Sequence, residues 1–83
     1  MVRLVLETTY DPPFTETDWD SANQRLFPCL ELHNVRWIRS LVSGDRTRSI
    51  CEFEAPDAES VRQSYRQAQV PFGRIWAAEL QEP

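Results

Sequence analysis

Lysine is absent from this sequence, histidine occurs once, and the two cysteines, Cys29 and Cys51, stand far apart. Each shortage removes a class of function. Nine arginines against 13 acidic residues leave a formal net charge of -4, and the arginines are scattered among acids rather than gathered in a block. Phosphate backbones and anionic membrane surfaces are bound by clustered cations, so neither nucleic acid nor membrane is expected as a partner. Two cysteines are too few for a disulfide framework or a four-cysteine iron–sulfur cluster. A catalytic triad or Cys–His pair would have to use His33, and nothing in the sequence places a nucleophile beside it. A binding protein is therefore expected rather than an enzyme. No apolar run approaches transmembrane length, and the opening Met1-Val2-Arg3-Leu4, followed by acidic Glu7, does not read as a signal peptide. Thiols without a disulfide pattern then predict a reduced, cytoplasmic protein.

What is present is a small core and a strong hairpin. Apolar residues make up 41% of the 83 residues, enough for one globular domain over 1–83 and too many for a disordered chain. A core of this size is only marginally sufficient, and oligomerisation is a common remedy. The run Val35 to Pro56, VRWIRSLVSGDRTRSICEFEAP, carries strand formers on both sides of Gly44-Asp45. With Gly44 at positive φ and Gly44-Asp45 as a two-residue loop, Ser43 pairs with Arg46 and Ile38 faces Cys51. One face then carries Ile38, Val42, Cys51 and Phe53. The other carries Trp37, Leu41 and Ile50 mixed with Arg39, Arg48 and Glu52. A sheet with one solvated face alternates more cleanly than this, so both faces are expected to be covered, one by helices and the other by a partner chain.

Val2 to Thr9 alternates as a first strand, with Glu7 on the face of Arg3 and Val5. Asp11-Pro12-Pro13 ends it. Thr15 with Asp18 forms a capping box that opens a helix, whose stripe is Trp19, Ala22, Leu26, Phe27 and Leu30. Pro28 predicts an end or kink near Phe27. Asp57 caps a second helix with Ala58, Val61, Tyr65 and Ala68 inside; Pro71 and Gly73 follow it, and Arg74 to Leu80 reads as the last strand. The order βαββαβ with right-handed crossovers is the ferredoxin-like α+β plait, a four-stranded antiparallel sheet with two helices on one face. That shape carries no function of its own. The RNA-recognition version needs stacking aromatics on the third strand, and RSICEFEA has acids there instead.

The stretch His33 to Arg62, HNVRWIRSLVSGDRTRSICEFEAPDAESVR, resembles a family of small bacterial proteins of otherwise unknown function, one of which binds nickel. The family reads HGVRWLRS, then VS, a short turn, and an EAP motif; here His33, Val35, Arg36, Trp37, Arg39, Ser40, Cys51, Glu54, Ala55 and Pro56 match. Asn34 departs from the family's glycine, and Thr8 stands where an arginine is common. The resemblance implies the same fold, a homodimer, and binding of a divalent metal such as nickel, with His33 and Cys51 as candidate ligands. One His, two Cys and one Met cannot close a soft site within a single subunit, so carboxylates, water or a second subunit would have to complete it. Each ligand has a plainer reading: His33 as a strand-entry imidazole bonded to backbone, Cys51 as a small buried hydrophobe. Glu7, Trp37, Arg39, Leu41 and Glu52 are expected to line a cavity or an interface on the open sheet face. The alternative function is a protein–protein interaction module that uses this face and no metal.

Overall fold

A computed structural model describes residues 1–83. The elements are β1 (Val2–Thr9), α1 (Glu16–Leu32), β2 (Arg36–Val42), β3 (Arg48–Ala55), α2 (Ala58–Ala68) and β4 (Arg74–Ala77). The strands form one antiparallel sheet in the order β2-β3-β1-β4. This is the expected ferredoxin-like arrangement. The core joins Leu4 and Leu6 of β1 and Cys51, Phe53 and Ala55 of β3 to Leu26 and Leu30 of α1 and Val61, Tyr65 and Ala68 of α2.

Both helix starts follow from the sequence. The Asp18 N–H donates to Thr15 Oγ1 at 3.1 Å and the Thr15 N–H to Asp18 Oδ2 at 2.9 Å, a reciprocal capping box. Asp57 Oδ1 accepts from the Ser60 N–H at 2.8 Å. The end of α1 differs from expectation: the helix runs through Pro28 to Leu32. Pro28 and Gln24, whose carbonyl loses its intrahelical donor, are both exposed. Water can satisfy that carbonyl, while Leu26 and Leu30 keep the inner face packed. The helix stops at Asn34, whose left-handed φ of 58° lets the Val35 N–H reach the Leu30 carbonyl at 2.9 Å. Asparagine is tolerated in this conformation, which explains how it stands where the resembling family has glycine.

The hairpin register also departs from expectation. The Ser43 N–H bonds the Arg48 carbonyl, not Arg46, so the loop is Gly44–Thr47. Gly44 is not at positive φ; Arg46 is, at 60°. Side chains decide this. Asp45 Oδ1 accepts from Ser43 Oγ, the Thr47 N–H and Thr47 Oγ1 at 2.7–3.1 Å, and Ser43 Oγ accepts from the Thr47 and Arg48 N–H groups. That cage favours the longer loop over a primed two-residue turn. Lengthening the loop by two residues leaves every side chain on its expected face. A bulge then intervenes between Trp37 and Arg39: Trp37 pairs with Phe53, Arg39 with Glu52, and Ile38 has no partner. One extra residue reverses the facing of what precedes it.

The last strand ends at Ala77 rather than Leu80. Leu4 pairs with Ala77 and the Ala78 N–H reaches the Arg3 carbonyl, so β4 is close to the start of β1 there. Strand β4 is admitted by Gly73, whose N–H bonds the Glu7 carbonyl at 2.9 Å; a Cβ at this position would lie 2.6 Å from that oxygen.

Candidate functional site

The helices cover one face of the sheet and leave the other bare. The pairing puts three rows of side chains across the bare face: Leu41, Ile50, Glu7 and Arg74; Arg39, Glu52, Val5 and Trp76; then Arg36, Glu54 and Arg3. Glu52 is the hub of an ionic ladder, only 16% exposed, with Arg39 Nε at 3.1 Å and Arg3 Nη1 at 3.6 Å. Arg36 pairs with Glu54, which also faces Arg3. Beside β4, Trp76 Nε1 donates to Glu7 Oε2 at 2.7 Å, and Arg74 lies 3.4 Å from the same oxygen. Leu41, Trp76 and Ile50 remain exposed at 62%, 46% and 38%.

The expected open-face residues therefore divide. Glu7, Arg39, Leu41 and Glu52 share the bare face. Trp37 does not: the bulge turns it to the helix side, where its ring stacks on Phe27 of α1 at 5.9 Å and its Nε1 donates to Ser40 Oγ at 2.9 Å. Glu7 and Arg36 do not pair with each other; Glu7 pairs with Arg74 and Arg36 with Glu54. Trp76 takes the place Trp37 was expected to hold. Its signal was the Arg-Ile-Trp alternation of β4, which sets Ile75 toward the core and Trp76 away from it.

His33 and Cys51 occupy different settings. His33 caps α1, half-buried, and its Nε2 bonds Gln67 Oε1 of α2 at 2.9 Å. Its partner is thus a side chain on α2 rather than the backbone. Cys51 is buried on the helix side of β3, accepts from Ser40 Oγ at 3.0 Å, and burial pushes its thiol pKa up. A metal-binding thiol must lose its proton, and this setting favours keeping it. Nowhere in one copy of the chain do three His, Cys, Asp or Glu side chains group around a common point. One copy therefore does not bring three such side chains together for a nickel ion. Both cysteines are free thiols, and no helix is long and apolar enough to cross a membrane.

Comparison with known proteins bears on this geometry. Residues 5–77 match the family model described as nickel responsive protein SCO4226-like. The crystal structure of SCO4226 from Streptomyces coelicolor A3(2) superposes with a TM-score of 0.83 over 96% of this chain and 99% of that one, at 18% sequence identity. At that identity the likeness establishes the fold. No curated protein sequence matches the chain.

Proposed function

The chain belongs to the SCO4226-like family of nickel responsive proteins, and from that premise we propose that it is a cytoplasmic, homodimeric binding protein that takes a divalent cation, nickel first, with ligands from two copies. The observation that carries this reading is the bare sheet face. Leu41, Ile50 and Trp76 lie exposed there among arginines, and Trp and Arg are enriched where proteins meet. A second copy also answers the ligand shortage, because no three donors converge within one. His33 is the only imidazole, and it sits at the end of α1 against α2 rather than on the bare face, so it joins such a site only where a second copy reaches that end; with Nε2 on Gln67, Nδ1 is the nitrogen left for a metal. The two free thiols accord with a reducing compartment, and the net charge of -4 with partnership by neither nucleic acid nor membrane.

The test is a thermal titration of untagged protein with nickel, zinc and copper. Nickel raises the melting midpoint of the dimer, and His33→Ala removes the rise. A midpoint indifferent to all three metals sinks the metal half of the reading.

A second reading keeps the docking face and drops the metal. It is favoured by the ionic ladder: Glu7, Glu52 and Glu54 each already pair with an arginine of their own chain, leaving no free carboxylate there for a cation. A metal-free dimer, or a complex with a different protein through this face, decides for it.

A further inference from the structure

On the helix side, the chain leaves part of the sheet uncovered. Between the end of β1 with the Tyr10 to Phe14 turn that follows it, the first turns of α1 and the middle of β2 and β3 lies a cavity of about 490 Å³. That is within the range of small-molecule sites. Tyr10, Phe14, Trp19 and Trp37 line it, with Cys51 and Tyr65 of the core also reaching it. The rings are held by one another. Phe14 stacks on Trp19 at 5.1 Å with 25° between planes, Tyr10 meets Phe14 edge-on at 4.6 Å, and Phe27 backs Trp37.

The buried polar groups of the cavity are already engaged. Trp37 Nε1 donates to Ser40 Oγ, which donates to Cys51 Sγ, and the Tyr10 hydroxyl shares a 2.8 Å bond with Ser49 Oγ. At the rim, Asp18 caps α1, and Arg25 donates to the Ala68 carbonyl and to Ser21. No buried side-chain polar atom lacks a partner. Burial raises the pKa of Tyr10, Cys51 and Tyr65 alike, so the inner wall stays neutral near pH 7, while the charged side chains of the lining, Asp11, Asp18 and Arg25, are exposed at the rim. An ionised guest seated against the inner wall would lose its water there, with the nearest charges only at the exposed rim, whereas a flat apolar one meets ring faces and edges.

We propose that this cavity is a binding site for a small, neutral, planar aromatic molecule, held against the Phe14–Trp19 pair and Trp37. The site lies across the sheet from the bare face and needs neither a metal nor a second copy, so it stands or falls apart from the reading above. The probe is phenylnaphthylamine, a neutral aromatic whose emission rises on leaving water, titrated into untagged full-length protein. The expected result is a saturable rise at one probe per chain, with quenching of tryptophan emission. Trp37→Ala, which removes a wall, and Ala22→Phe, which fills the space from α1, each weaken binding about tenfold or more. Circular dichroism checks that each variant is folded, and Trp76→Phe on the bare face leaves the titration unchanged. The anionic relative, anilinonaphthalene sulfonate, binds more weakly by about tenfold. Absence of a saturable rise overturns the proposal. So do equal binding by a folded Trp37→Ala variant, loss of binding in Trp76→Phe, and equal affinity for the sulfonate.

Discussion

The two faces of β3 are built from alternate residues of one eight-residue strand, yet they obey different physics. Toward the helices, Ser49, Cys51, Phe53 and Ala55 are all buried; the Ser49 hydroxyl bonds that of Tyr10, the Cys51 thiol accepts from Ser40, and burial favours the protonated form of Cys51. Away from them, Ile50, Glu52 and Glu54 meet arginines and water. Neutral hydrogen bonds inside cost little and exclude charge. Exposed ion pairs add little stability but give the face a pattern that a partner can read. One face holds the fold together, and the other is available for recognition.

That contrast can be broken in graded steps. Phe53→Ala on the inner face is expected to cost about 3–5 kcal/mol in urea unfolding, because its side chain is 1% exposed and the hole cannot collapse. A loss below about 1 kcal/mol would mean that the core is much looser than described. Gly73→Ala should cost about 1–3 kcal/mol, since the new Cβ meets the Glu7 backbone oxygen and β4 must shift; faster amide exchange in β4 would locate the damage. A pH series sharpens the comparison next. The Cys51 pKa is raised on folding, so stability is intact below the ordinary thiol pKa near ~8.5 and falls as pH rises through it, because only the unfolded chain ionises freely. Cys51→Ala should flatten that alkaline fall; an unchanged slope would assign it elsewhere. Arg39→Ala on the bare face should cost less than about 1 kcal/mol at low salt and less still at high salt, its side chain being 58% exposed. A larger loss in the monomer would show the ladder to be structural.

Periodicity and caps made most of this architecture readable. Thr15 with Asp18 and Asp57 with Ser60 are local signals, and the structure realises both. The misses share a cause, which is that other interactions overrode a simple local rule. Pro28 lies on a solvent face where a missing hydrogen bond is cheap to water, so the helix continues. The Gly44-Asp45 pair resembled a two-residue turn, but the Asp45 and Ser43 side chains stabilise a longer loop. The bulge at Ile38 had no residue signal at all, and it alone moved Trp37 from the bare face to the aromatic cavity. Arg39, Leu41 and Glu52 keep their expected facing because a two-residue register change preserves it, and Glu7 keeps its own through the alternation of β1. The cavity was not anticipated. Tyr10, Phe14 and Trp19 are spread around a Pro-Pro turn, and only the folded path of that turn brings their rings together.

The most direct measurement is the mass of the untagged protein by sedimentation equilibrium across a concentration series, with Leu41→Asp beside it. The account predicts a dimer for the natural sequence and a folded monomer for the variant, since Leu41 is 62% exposed in one copy and a carboxylate in its place would have to give up its water at the interface. A natural chain that stays monomeric throughout, or a variant that remains dimeric, would contradict the claim that the bare face is where two copies meet.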